Sequence, residues 1–273
     1  MGKRIRISKE DEKKIINYYK SGKSILWISK QMTLGYSIIR RILAENNVEI
    51  DPQRKAHKHS FNLDFLEKQS ENLAYFIGLM STDGCVSAKS NHIYIELQLS
   101  DKETLDKIRN AMNLTREVKE YETSKGYKNA KLYLENKRAK EIMIYYGVIP
   151  NKTYDPNYKP PYNLDEEYFI HYLRGAFDGD GSVKKTGKYF SFQIDVNTVA
   201  VANYIVENLR KVGIDSDITF NKHKSGYELY RVYFYGKEKG EKLYNLFYKH
   251  KPELFMERKF NKFTSLLEDD SII

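Results

Sequence analysis

Apolar residues recur at two periods along this chain, and the changes of period divide it into elements. Ser8-Lys9-Glu10-Asp11 has capping-box form and opens a helical run to about Lys20, with Ile15, Ile16 and Tyr19 on one face. Ser24 can cap a second helix whose inner face is Ile25, Ile28 and Met32. Thr33-Leu34-Gly35 breaks it, and Tyr36 to Glu45 forms a third helix on Ile39, Ile42 and Leu43. Further on the period drops to two. Ile93, Ile95, Leu97 and Leu99 alternate with Tyr94, Glu96 and Gln98, which predicts a strand with one apolar and one polar face. Ile108 and Met112 return to helical spacing.

Two apolar, helix-like runs end in Asp-Gly: Tyr75 to Gly84 and Tyr172 to Gly181. Gly78 and Thr82 in the first, and Gly175 and Gly179 in the second, lie four apart on one helix face, where small residues let two backbones approach. Gly84 and Gly181 are expected to end these helices in the left-handed conformation. Asp83 and Asp180 then sit at the negative ends of two helix dipoles, and a pair of such ends side by side asks for a divalent cation.

The two runs are offset by 97 residues, and the same shift carries Ile93 to Phe190, Ile95 to Phe192, Leu97 to Ile194, Leu99 to Val196, Ile108 to Ile205 and Met112 to Leu209. Later the shift becomes 100, aligning Lys131 to Leu134 with Arg231 to Phe234 and Lys137 with Lys237, which implies about three extra residues near Lys222 to Gly226. The fold class is α+β, with tandem pseudo-symmetric αββαββα repeats. Helices must cover the apolar sheet faces. The polar faces, Tyr94, Glu96 and Gln98 in one copy and Ser191, Gln193 and Asp195 in the other, stay open as one saddle-shaped β-surface. Two arms of about 26 Å each, at ~3.3 Å per residue, match about 15 base pairs of duplex DNA.

Charge sharpens this picture. The net charge is +9, yet residues 1–60 hold 14 Lys/Arg against 6 Asp/Glu while the rest is nearly balanced. The basic excess is therefore N-terminal, the footprint of a module drawn to nucleic acid or of a solubilising terminus. The segment Ile28 to Leu43 resembles the DNA-reading part of a helix-turn-helix, with Ser37, Arg40 and Arg41 outside. Thr33 stands where that family usually has glycine, and a plain helical hairpin acting as an interaction cap shares the pattern. The expected division is a small all-α helix-turn-helix module at 1–50, a basic linker at 51–66 carrying Arg54 and Lys55, and two repeats at 67–164 and 165–273. His57 and His59 have no cysteine partners nearby and read as solvated linker residues. Cys85 is the single cysteine, so no internal disulfide is expected, in keeping with a reducing cytoplasm. No apolar run approaches 18 residues, and no export signal or membrane association is expected.

The paired runs, the duplication and two flanking segments, Gly147 to Thr153 and Glu257 to Phe263, resemble LAGLIDADG (dodecapeptide) homing endonucleases over residues 67–265. That resemblance implies a monomeric, DNA-associated enzyme that breaks both strands of a long DNA target. It makes Asp83 and Asp180 ligands of Mg²⁺, or of another divalent cation such as Mn²⁺, with the carbonyls of Thr82 and Gly179 assisting. It makes Gln98 and Asp195, together with Lys137 and Lys237, the polar and basic groups that order water. Either lysine reads equally as a solvated helix start. It makes the β-surface (Tyr94, Glu96, Gln98, Ser191, Gln193 and Asp195) the DNA-binding face. An RNA maturase acting on intron RNA, or a DNA-binding regulator that no longer cuts, has the same fold. The seam is unequal, with Ser81-Thr82 in one copy facing Asp178-Gly179 in the other.

Overall fold

A computed structural model describes residues 7–50, 59–186, 189–222 and 228–268. Arg54, Lys55 and His57 lie outside the described residues. Two compact units are divided near residue 62.

The first unit holds three short helices, α1 (Lys9–Lys20), α2 (Ile25–Gln31) and α3 (Tyr36–Glu45). Ser8 Oγ accepts the Asp11 amide at 3.0 Å, and Ser24 Oγ accepts that of Trp27 at 3.1 Å, so each hydroxyl satisfies an amide the helix start leaves open. Ile15, Tyr19, Ile25, Ile28, Ile39, Ile42 and Leu43 form the core. Between α2 and α3 the backbone of Thr33 is left-handed, at φ 53°. A β-branched residue there is strained by about 1–2 kcal/mol. Thr33→Gly is expected to stabilise this unit by about 1 kcal/mol, read as slower hydrogen exchange of the buried amides of α2 and α3. Unchanged or faster exchange would show that the turn carries no strain.

The second unit contains the two repeats. The first runs α4 (Asp64–Glu67), α5 (Glu71–Thr82), β1 (Gly84–Val86), β2 (His92–Gln98), α6 (Lys102–Ala111), β3 (Lys119–Glu122), β4 (Lys128–Glu135) and α7 (Lys137–Tyr145). The second runs α8 (Phe169–Asp180), β5 (Gly181–Thr186), β6 (Tyr189–Val196), α9 (Val199–Lys211), β7 (Asp217–Lys222), β8 (Glu228–Tyr235) and α10 (Lys237–Tyr248), followed by α11 (Glu257–Glu268). Each repeat has one antiparallel four-stranded sheet, in the orders β1-β2-β4-β3 and β5-β6-β8-β7. From α5 through α7, and again from α8 through α10, the order is αββαββα. Alternation decides the sheet faces: Ile93, Ile95, Leu97, Ala130, Leu132 and Leu134 are buried in one sheet. In the other, Phe192 stacks on Phe177 and Phe234 at 5.5 and 4.9 Å.

Strand register corrects the sequence alignment of the repeats. Gly84 pairs with Ile95 and Gly181 with Ile194, so the β2-to-β6 shift is 99 rather than 97. Ile93 therefore corresponds to Phe192, Glu96 to Asp195 and Gln98 to Asn197. The displaced count is even, and an even slip on a period-two strand leaves every apolar residue on the same face. The later insertion is also relocated. Lys119 pairs with Lys131 and Thr219 with Arg231, so both strands of the β3–β4 and β7–β8 pairs keep the 100 shift. Two of the three extra residues therefore fall between β5 and β6, where the shift rises from 97 to 99, and one falls between β6 and α9; the 3₁₀ turn Leu99–Asp101 together with α6 matches α9 residue for residue at the 100 shift.

Helices α5 and α8 form the seam between repeats. A Cβ on Gly78 would sit 2.1 Å from the Tyr172 carbonyl oxygen, and one on Gly175 would sit 2.1 Å from that of Tyr75. Reciprocal contacts at residues 97 apart identify a local two-fold. Gly84 and Gly181 do not take the left-handed conformation expected of them. Each instead begins a strand, where a Cβ would strike the preceding helix: Met80 Cα at 2.5 Å and Phe177 Cα at 2.7 Å. Close approach, not backbone handedness, requires glycine at both.

Candidate active site

The two motif ends meet at the foot of the seam. Asp83 follows the last residue of α5, and Asp180 is the last residue of α8. A Cβ on Gly179 would lie 2.5 Å from Asp83 Oδ2 and 2.0 Å from Thr82 Oγ1, so the first motif's carboxylate rests against the second motif's backbone. Burial, and next the charge of Asp180, push the Asp83 carboxyl up to about 6. Asp180 keeps solvent contact, yet crowding by surrounding protein also raises its carboxyl, and Asp195 adds to the rise. Burial disfavours the charged form of both acids, and the charge of Asp180 disfavours that of Asp83 as well; a cation beside them would offset both effects.

Two lysines answer that negative charge. Lys152 is buried and donates through Nζ to the carbonyl oxygens of Gly84 at 2.5 Å and Thr82 at 3.2 Å. Lys259, also buried, donates to the carbonyl of Gly181. Gly84 and Gly181 are equivalent, so the lysines are equivalent, each reaching back from the end of its own repeat. Burial lowers both ammonium pKa values, against the pull of Asp83 and Asp180. Sequence reasoning placed both residues in segments resembling the family's but assigned the chemistry to Lys137 and Lys237. Those two occupy the first positions of α7 and α10, where each pairs with the glutamate four residues on, Glu141 at 3.7 Å and Glu241 at 3.9 Å. Lys137 is exposed and Lys237 half-buried at these helix starts.

The other expected residues divide in two. Gln98, exposed at the end of β2, lines a cleft of 970 Å³ together with Asp83, Glu96, Asp101, Gly179 and Arg258. Asp195 is held by Arg231 through a bidentate pair at 2.7 and 2.8 Å, so both its oxygens already serve a guanidinium. Its equivalent Glu96 pairs with Lys131 at 2.8 Å and accepts Asn129 Nδ2 at 2.9 Å. Tyr94, Ser191 and Gln193 share the open sheet faces with these pairs, out of phase with the buried residues. In the first unit, Ser37 and Arg40 are exposed on α3, and Arg41 is half-buried beside Glu45 at 3.7 Å.

The second motif holds a second acid, whose partners its sequence position does not disclose. Asp178 is fully buried, and its Oδ2 accepts the Tyr75 hydroxyl at 2.8 Å and the Met256 amide at 2.7 Å. Burial pushes its carboxyl up to about 7. Arg174, also fully buried, donates to the carbonyls of Leu254 at 3.2 Å and Phe247 at 3.1 Å. These charges fix the chain that leads into α11 and so place Lys259. The available signal was two charged residues inside an apolar motif helix. Arg258 then pairs with the buried Asp101 of the first repeat at 2.9 Å.

The donor set fits a hard divalent cation: carboxylate oxygens and backbone carbonyls at the paired helix ends. Magnesium commonly takes only one or two carboxylates and completes its shell with water and phosphate. Among the described residues no group of three or more His, Cys, Asp or Glu could hold a metal by itself. The Thr82 carbonyl is already engaged by Lys152, which leaves the two carboxylates as the principal donors.

The raised Asp83 pKa has a measurable sign. Between about pH 4 and 6 the folded state holds more proton than the unfolded chain, so stability falls as pH rises. Without divalent metal, Asp83→Asn should melt near the wild type at pH 4 and above it at pH 7. The gain is of order 1 kcal/mol after allowance for solvent screening. A melting difference that does not change with pH would contradict the assigned environment.

The LAGLIDADG-like domain family model matches residues 70–145 and 167–247. The uncharacterized protein MJ0314 of Methanocaldococcus jannaschii is 30% identical over 203 residues, covering 69% of this chain and 73% of that protein. Among solved structures, full-length DUF199/WhiA from Thermatoga maritima superposes with a TM-score of 0.47 at 14% identity, covering 77% of this chain. The chain spans 65% of that protein's length. Variants of the homing endonuclease I-DmoI give 0.49 at 12% identity, over 71% of this chain and 97% of theirs. Meganuclease I-SmaMI bound to uncleaveable DNA gives 0.44 at 12%, over 72% and 90%. No helix among the described residues is long and apolar enough to cross a membrane.

Proposed function

We propose that this chain, which belongs to the LAGLIDADG-like domain family, is a metal-dependent endonuclease that breaks both strands of a long duplex DNA target. The observation that carries this reading is the pair of acids, Asp83 and Asp180, abutting across a glycine seam with a buried lysine beside each. A protein that only binds DNA has no electrostatic reason to press two carboxylates together where phosphates must approach. Both motifs reside in one chain, so a monomer holds the complete pair.

Asp83 and Asp180, with the carbonyls of Thr82 and Gly179, would hold Mg²⁺ or Mn²⁺. When bound, such an ion supplies positive charge for the phosphate and acidifies water. The chain's own groups do the rest. Lys152 and Lys259 are anchored through backbone carbonyls, so their charge stays fixed beside the carboxylates. There they can stabilise charge developing on a leaving oxygen. Their lowered pKa values also make them better proton donors near neutrality than ordinary lysines. Gln98 faces the cleft and can orient a water by hydrogen bonding. Tyr94, Glu96, Ser191, Gln193 and Asp195 lie on the surface that meets DNA, and Ser37 and Arg40 of α3 add contacts from a helix-turn-helix module at residues 1–50.

The test is selection of cleaved duplexes from a random DNA library with Mg²⁺, run beside Asp180→Asn and beside a chain lacking residues 1–50. The expected result is enrichment of one target, its loss with the Asp180 variant, and a shorter preferred target with the truncated chain. No cleavage of any sequence would overturn the nuclease reading. Retained binding to structured intron RNA in that case would favour a maturase.

A further inference from the structure

The Asp195–Arg231 pair does something its equivalent in the first repeat does not. Both residues lie on the open face of the second sheet: they pair across β6 and β8 between Ile194–Val232, which is buried, and Val196–Tyr230. A guanidinium carries five N–H donors and offers two bidentate edges. Asp195 takes the side edge, Nε at 2.7 Å and Nη2 at 2.8 Å. Among the described residues Arg231 makes no other hydrogen bond, so its end edge, Nη1 with the second Nη2 hydrogen, stays available above the sheet. Two parallel donors in that arrangement match the N7 and O6 acceptors of guanine in the major groove.

We infer that Arg231, held rigid by Asp195, reads one guanine in the half of the target that lies under the second sheet. The inference rests on the duplex-DNA reading above and adds a base to it. Net charge separates a base contact from a phosphate contact. The Arg231–Asp195 pair is close to neutral, so its long-range pull on the phosphate backbone is small, while the direction of its free donors is fixed. In the first sheet, the equivalent Glu96 is held by Lys131 and Asn129, and the Lys131 ammonium lies 4.0 Å over the Tyr94 ring. An ammonium is a point charge without a planar fork. The symmetry-related base is therefore not read in the same way, and the target should depart from a palindrome there. Asp195 continues the register beyond the Gly181–Ile194 pair, which sets it beside Asp180, and Arg231 is one strand further out. Two strand spacings are about 10 Å, or about three base pairs at ~3.4 Å each, measured from the phosphate held at Asp180.

The test is a binding selection from a random duplex library in metal-free buffer, using the full chain, Arg231→Lys and Asp195→Asn. The wild type should enrich guanine at one position of one half-site. Arg231→Lys should lower that preference by about 5- to 150-fold, the range for a bidentate base contact, and leave the other positions as they were. Asp195→Asn, which keeps the size of the side chain but removes the brace, should lower it less. Identical preferences in all three proteins would overturn the assignment. So would a loss uniform across sequences with a shallower salt dependence, the mark of a phosphate clamp, or a wild-type selection with no preference. Cutting is scored separately by adding Mg²⁺ to the selected pool: bound DNA that stays uncut defeats the nuclease reading and leaves the guanine assignment standing.

Discussion

Asp83→Asn and Asp180→Asn should each abolish linearisation of a plasmid carrying the selected target, by about a thousandfold or more, the scale on which a principal electrostatic group acts in catalysis. The substitution keeps shape and removes charge, so it isolates electrostatics. Asp83 rests on the Gly179 backbone and its carboxyl responds to Asp180, so the acids form one site, and loss of either should disable both cuts. Target binding in metal-free buffer should persist, or tighten slightly, because a negative charge leaves a surface that faces phosphates. Nicked circles accumulating with both single variants would show that each acid serves its own strand. Unchanged linearisation by the double variant would remove both acids from the reaction.

The elements of this fold were legible in the sequence wherever one face is buried. Helix caps at Ser8 and Ser24 and the alternation through Ile93, Ile95 and Leu97 reflect local rules, and the structure places them as those rules require; the two Asp-Gly runs end their helices at the expected acids, but their glycines begin strands instead of taking the left-handed conformation. What escaped was register between copies. Moving β6 by two residues changes which polar residue answers which, and Asp195 corresponds to Glu96 rather than Gln98. Period two is blind to an even slip, so only hydrogen-bonded pairing could reveal it. Lysines were harder for another reason. Nothing in the spacing around Lys152 or Lys259 marks it as buried, because each is brought in from the far end of its repeat to a carbonyl more than 60 residues away in sequence. Lys137 and Lys237 match one another in the repeat alignment, and both open helices. Asp178 and Arg174 stood in plain view inside an apolar helix. Their partners, Tyr75, Met256, Leu254 and Phe247, are set by tertiary packing.

Gly175→Ala should be a severely damaging single methyl in the protein's core. The added carbon would lie 2.1 Å from the Tyr75 carbonyl and 2.9 Å from the Leu79 amide nitrogen, both backbone atoms of a packed helix that cannot rotate away. The helices must therefore separate, at a cost of about 3 kcal/mol, the upper part of the range for overpacking. For a chain of this size that is a drop of roughly 6–12 °C in Tm. Cutting should suffer more than folding. Asp83 and Asp180 ride on the ends of these two helices, and a displacement near 1 Å at reacting groups can cost about a hundredfold. At a temperature where the variant remains folded, the cleavage rate should fall by that order while target binding, carried by the sheets, changes far less. Gly78→Ala meets the Tyr172 carbonyl at the same 2.1 Å and should behave alike, since the contact is its two-fold mate. A variant that melts and cuts like the wild type would mean that the close crossing of α5 and α8 is not what sets the spacing of the two carboxylates.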